Sequence, residues 1–79
     1  MSHTPHELHE EFPAEADRIH EMKVSNAHFA RLAEEYHAIN RDVHRAETGI
    51  EPVDSLAETE MRKKRAHLKD EIARMLAGA

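Results

Sequence analysis

His28-Phe29-Ala30-Arg31-Leu32-Ala33-Glu34-Glu35-Tyr36-His37-Ala38-Ile39-Asn40-Arg41-Asp42-Val43-His44-Arg45-Ala46 decides the fold. Phe29, Tyr36 and Val43 recur every seven residues, and Leu32, Ile39 and Ala46 recur every seven between them. Alternating steps of three and four place all six on one side of an α-helix. The stripe is narrow, closer to a coiled-coil seam than to the broad face of a globular-core helix. A helix of this kind needs a partner.

The downstream sequence supplies one. Glu47-Thr48-Gly49 ends the first helix: Gly49 suits the left-handed closing residue, Ile50 is placed to pack back on the last turn, and Pro52 forbids continuation. Asp54 or Ser55 then caps a second helix, and Ser55-Leu56-Ala57-Glu58 fits a capping box. Met61, Leu68 and Met75 step by seven, with Ile72 and Ala79 at alternate positions. Arg65 fills the remaining alternate position, and Leu76 widens the stripe. A connection this short between helices of similar length predicts an antiparallel hairpin. At 1.5 Å rise per residue, each arm is roughly 35 Å long. No stretch carries a strand signal.

Upstream, residues 1–11 are polar, with His3, His6 and His9 at steps of three around Pro5, and read as a flexible His-rich arm. Phe12-Pro13 reads as a helix entry, with Glu15 and Asp17 at its positive end. Ile19 and Met22 give that segment an apolar edge. Ser25 falls where the seam wants an apolar residue, and both Ser25 and Asn26 prefer caps to helix interiors. Two arrangements satisfy this: a near-continuous helix with a kink, which we take as the expectation, or a new helix capped by Ser25 or Asn26. The predicted fold is therefore all-α, an antiparallel two-helix, coiled-coil-like hairpin. Its domain spans 12–79, with helices at about 13–47 and 55–77 joined by a turn at 48–54. The expected seam is Met22, Phe29, Leu32, Tyr36, Ile39 and Val43 against Met61, Leu68, Ile72 and Met75.

Composition sets the outer bounds. The chain has 79 residues, 34% of them charged and 4% aromatic, with no Trp and no Cys. So few aromatics make a large globular core hard to build, and the absent cysteines exclude disulfides and thiolate chemistry. The sustained heptads argue against disorder despite the charge. No apolar run is long enough to span a bilayer, and the N-terminus lacks the pattern of a signal peptide, so the expected location is cytoplasmic with no membrane insertion. Residues 1–60 carry 5 basic and 14 acidic side chains, whereas residues 61–79 carry 6 and 2. The result is an acidic body with a basic last helix.

Little in this composition is catalytic. A two-helix hairpin offers no deep pocket to desolvate Ser, His or acid side chains, and two glycines cannot form a phosphate loop. We expect no enzyme and no cofactor. Among eight histidines, His3, His6 and His9 are the metal candidates; solvated histidines on a loose arm are the competing and favoured reading. His28, His37, His44 and His67 flank the seam as edge residues, where they could also make the assembly pH-sensitive. Arg62-Lys63-Lys64-Arg65 is the sharpest charge feature. It could contact nucleic-acid phosphates, though no aromatics are interleaved to stack bases. The favoured alternative is internal pairing with acids of the first helix such as Glu34, Glu35 and Asp42, worth only ~0–1 kcal/mol per exposed pair.

With both helices laid out, a resemblance emerges. Ile-His-Glu-Met-Lys at 19–23, Ala-His-Phe-Ala-Arg-Leu at 27–32, Glu-Tyr-His at 35–37 and Val-His-Arg-Ala-Glu-Thr at 43–48 resemble the YdcH-like family of small bacterial proteins, alphaproteobacterial members in particular. Glu51-Pro52-Val53 and the run from Arg62-Lys63-Lys64-Arg65 to Leu68-Lys69-Asp70-Glu71-Ile72 extend the likeness over residues 12–76. The chain departs from the family pattern at Ala66, where many members have a larger apolar residue, and at Leu56, where an acid is common. The resemblance implies a short helical hairpin of uncharacterised role and supplies no catalytic or ligand residues. An isolated hairpin of this size is marginal, which leads to the expected function: a non-catalytic interaction or accessory module. It would self-associate or dock on an unidentified protein partner to cover the edges carrying Val24, Leu56 and Leu76. A nucleic-acid-associated regulator acting through residues 62–65, and metal binding by the arm, are the alternatives.

Overall fold

A computed structural model describes residues 5–49 and 53–78. The chain forms a one-turn helix α1 (Leu8–Glu11), a 3₁₀ turn (Pro13–Glu15), α2 (Ala16–Ser25), and two long helices, α3 (Ala27–Glu47) and α4 (Ser55–Gly78). No strand occurs among the described residues. The two long helices pack together, and α2 packs back on α3. At 1.5 Å per residue they run about 32 and 36 Å, as the heptads require.

The expected near-continuous first helix is corrected to two helices. Asn26 has extended backbone, φ −133° and ψ 107°, and its Oδ1 accepts a hydrogen bond from the Phe29 amide at 3.0 Å. One residue earlier, Ser25 Oγ donates back to the Glu21 carbonyl at 2.9 Å. The Asn26 side chain satisfies an amide that would be orphaned at a new helix start, and so makes the break affordable. Asn26→Ala should cost ~1 kcal/mol, read as a lower urea midpoint at unchanged slope. An unchanged midpoint would show that the cap contributes nothing.

The other boundaries follow from the same chemistry. Gly49 has φ +79°, its amide donates to the Ala46 carbonyl at 3.3 Å, and Thr48 N donates to the His44 carbonyl at 3.0 Å. This is the left-handed closure expected of Gly49. The roles expected of Ile50 and Pro52 lie outside the described residues. Helix α4 starts from Asp54, whose Oδ1 accepts from the Ala57 amide at 2.8 Å. Glu58, assigned to a capping box, instead pairs with Arg62 at 2.7 Å.

The long helices are antiparallel. Glu47 meets Arg62, Asn40 meets Arg65, and Leu32 lines the same groove as Met75. The core holds Phe29, Leu32, Ala33 and Tyr36 of α3 and Leu68, Ile72 and Leu76 of α4, joined by Leu8 and Ile19 from the N-terminal elements. Val43 is also fully buried. Of the expected seam, Met22, Ile39, Met61 and Met75 are only half-buried. Leu76, expected on an open edge, is 7% exposed. It joins the core cluster that also takes in Leu8 and Ile19, so the molecule is not a bare hairpin.

Of the arm expected over residues 1–11, the part from Pro5 onward lies against the long helices. Leu8 is 7% exposed and belongs to the core cluster. One apolar side chain in a polar stretch anchors the segment, and helix α1 forms only where that anchor sits. Residues 1–4, including His3, lie outside the described residues.

Candidate interaction surface

The long helices present a second row of side chains beside the seam. On α3 it runs Phe29, Ala33, Tyr36, Asn40, and on α4 it runs Arg65, Lys69, Ile72, Leu76. Steps of four, three and four make each row continuous on its helix. The polar members of these rows hold the N-terminal segment. Asn40 is fully buried, yet both ends of its amide are used: Nδ2 donates to the Pro5 carbonyl at 2.9 Å and Oδ1 accepts from Arg65 Nη1 at 3.0 Å. Tyr36, 1% exposed, donates its hydroxyl to the His6 carbonyl at 2.6 Å. Two successive main-chain carbonyls are thus bound by side chains of α3. The chain offers both because His6 takes φ +66°, a left-handed conformation that His tolerates better than most residues.

Charges frame the contact. Lys69 Nζ donates to Glu11 Oε1 at 2.7 Å and stands 5.8 Å from the centre of the Phe12 ring, a cation–π distance. Glu7 Oε2 lies 3.0 Å from His37 Nδ1, and Glu11 Oε2 lies 3.4 Å from His6 Nδ1. Among the described residues no buried side-chain polar atom lacks a partner.

Two groups of this contact respond electrostatically. The hydrogen bond from Lys69 holds the Glu11 carboxyl below its ordinary value of 4.5, against a smaller opposing effect of burial and with help from His6. Burial pushes the Tyr36 phenol up to about 12, and the nearby carboxylates of Glu11 and Glu7 add to the rise. A depressed carboxylate stabilises the fold above its unfolded pKa, and that contribution is lost as pH falls through the folded value. Stability contributed by the Glu11–Lys69 contact should therefore be complete above about pH 5 and fall away on acidification below 4.5. Lys69→Gln should flatten that acid limb in urea titrations at stepped pH. Identical limbs in the two proteins would show that the contact contributes nothing.

The other candidates fare differently. His6 turns its ring toward Glu11, and His9 is exposed on α1. Among the described residues no group of three or more His, Asp or Glu side chains is arranged to hold a metal. In the basic cluster, Arg62 pairs with Glu47 at 2.9 Å and Glu58 at 2.7 Å, and Arg65 is taken by Asn40. Those partners replace the expected Glu34, Glu35 and Asp42. Lys63 sits 3.9 Å from Glu60, and Lys64 is exposed with no ion pair among the described residues. Arg62 stays exposed despite its two carboxylate partners, so Arg62, Lys63 and Lys64 face outward and Arg65 is the half-buried member.

Sequence reasoning missed Leu8, Asn40 and Lys69 as contact residues. Two signals were available: Asn40 completes the four-three-four row begun by Phe29, and Leu8 is the one large aliphatic side chain between Ser2 and Ile19.

None of the described helices is long and apolar enough to cross a membrane. No curated protein and no solved structure matches the chain. The family described as Protein of unknown function (DUF465) matches residues 29–76, which hold both long helices from Phe29 to Leu76 and every residue of the cradle formed by Tyr36, His37, Asn40, Arg65 and Lys69. The chain belongs to that family, the YdcH-like proteins.

Proposed function

We propose that the chain is a small non-catalytic interaction module that self-associates or docks on a larger protein. The observation that supports this reading is the aliphatic surface left after the core is closed: Val24 is 79% exposed and Leu56 is 72% exposed. Single exposed aliphatics are ordinary in soluble proteins. Here they accompany a core with ten buried apolar side chains among the described residues, small enough that added burial against a partner would contribute a large share of stability. Two shallow grooves open on the surface, and Glu7 and His37 on the rim of one are joined in a surface ion pair rather than held in a desolvated pocket. This arrangement suits recognition better than chemistry. A nucleic-acid regulator is the weaker reading, because Arg62 and Arg65 are engaged internally.

Light scattering across a dilution series, combined with affinity capture from the native host, tests the proposal. A concentration-dependent assembly, or a partner whose binding is lost in a Val24→Asp/Leu56→Asp double variant, is the expected result. A stably folded monomer that captures no partner would contradict it.

A further inference from the structure

The cradle that holds Pro5–Phe12 has the chemistry of a peptide-binding cleft whose occupant is supplied by the same chain. Tyr36 and Asn40 bind main-chain carbonyls, at 2.6 and 2.9 Å, which any peptide offers. Selectivity comes from three side chains of the occupant. Leu8 is buried at 7% exposure, Glu7 lies 3.0 Å from His37, and Glu11 lies 2.7 Å from Lys69. Main-chain recognition for affinity, one apolar anchor and two flanking carboxylates define a ligand by pattern rather than by covalent connection. The segment has little structure of its own: α1 has four residues, Phe12 adds a partly buried ring against the core, and the chain leaves through the turn at Pro13–Glu15. A helix so short is stable only through what it packs on.

The family match sharpens this division. Residues 29–76 include all five cradle residues and none of the occupant, so the shared part of the chain carries the receiving side. We propose that the α3–α4 cradle is a docking site for an acidic peptide segment of a protein partner, of the pattern Glu-Leu-x-x-Glu, and that residues 5–12 are an internal stand-in which such a segment displaces. The inference rests on the interaction-module reading and names the chemistry of its partner. Displacement exchanges like for like: the partner's leucine takes the place of Leu8 and its carboxylates take those of Glu7 and Glu11.

The test uses the full chain and a fluorescein-labelled peptide with the sequence of residues 5–15. Leu8→Ala weakens the internal occupant while leaving every cradle residue intact. By anisotropy this variant should bind the peptide at least ~10-fold more tightly than the unaltered chain does. Adding Lys69→Glu to Leu8→Ala should abolish the gain. Equal peptide affinity for the unaltered chain and a helical Leu8→Ala variant would overturn the proposal, and so would indifference to Lys69→Glu. A dimer formed by reciprocal exchange of N-terminal segments would assign the cleft to a second copy and overturn it too. Amide hydrogen exchange on the unaltered chain supplies an independent measurement. The amides of Glu10, Glu11 and Phe12 should exchange at least ~100-fold faster than those of Tyr36 and Ile72, as a separately opening segment requires. Equal protection, or global unfolding of Leu8→Ala, would show the segment to be an integral part of the fold and overturn the proposal. Failure of the peptide to bind leaves the broader reading standing, since that is decided by assembly state and partner capture.

Discussion

Phe29→Ala should remove about 3–5 kcal/mol of folding stability and leave the chain largely unfolded at 25 °C in mild urea. Phe29 is fully buried, sits in the first turn of α3, and lies in the cluster that joins Leu8, Ile19, Leu68 and Ile72. Its amide also receives the Asn26 cap, so the side chain anchors the helix at the turn where α2 folds back. A domain of 79 residues has a total stability of roughly 4–12 kcal/mol, and loss of the ring removes a large part of it. The ring-sized hole cannot be refilled, because its neighbours come from three separate elements that would all have to shift. Circular dichroism at 222 nm against urea reads the effect. Lys64→Ala, at an exposed position with no ion pair among the described residues, should move the midpoint by no more than ~0.5 kcal/mol and serves as the control. Comparable effects for the two substitutions would show that Phe29 is not at the centre of the core.

Asn40→Ala is expected to be the most damaging polar substitution. Removing its amide leaves the Pro5 carbonyl without a donor and one Arg65 donor without its acceptor, in a site where Asn40 itself is fully buried. Each buried group left unpaired costs ~1–3 kcal/mol, although Arg65 is half-exposed and recovers part of that from water. A total near 2–3 kcal/mol follows. Asn40→Asp separates the two bonds. A carboxylate still accepts from Arg65 but turns an acceptor toward the Pro5 carbonyl, so it should release the N-terminal segment while preserving the pairing of the long helices. Amide exchange at Glu10 and Glu11 should rise in Asn40→Asp while α3 and α4 stay protected. Uniform loss of protection in both variants would mean that Asn40 supports the helix pair rather than the segment.

The helix pair was legible in the sequence because its determinants are local or periodic. Phe29, Tyr36 and Val43 mark one seam, Gly49 closes α3 with the backbone only glycine adopts easily, and Asp54 supplies the cap. The break at Asn26 was visible as an alternative but not as the outcome. A single cap competes with helix continuation by about 1 kcal/mol, and the decision falls to the tertiary packing of Ile19 on the long helices. The candidate surface was harder still. Its contacts join residues 30, 35 and 58 positions apart in sequence, and half of them end on main-chain carbonyls that carry no sequence signature. Leu8 is one apolar residue in a polar stretch, and its role shows only in the folded chain, where it joins the cluster that contains Tyr36.

The cradle is filled only if Pro5–Phe12 lies over Tyr36, whose hydroxyl donates to the His6 carbonyl. The chain has one Tyr and no Trp, so absorbance at 295 nm against pH reports on that phenol alone. In the folded protein the neutral phenol is favoured by burial, which raises its pKa; the resulting stability is complete below the unfolded value near 10 and is lost as pH rises through the folded value. The predicted result is a midpoint of about 12 for the folded chain and near 10 for the same chain in concentrated urea. A folded chain that titrates near 10, indistinguishable from the unfolded one, would show the hydroxyl open to water and contradict the account.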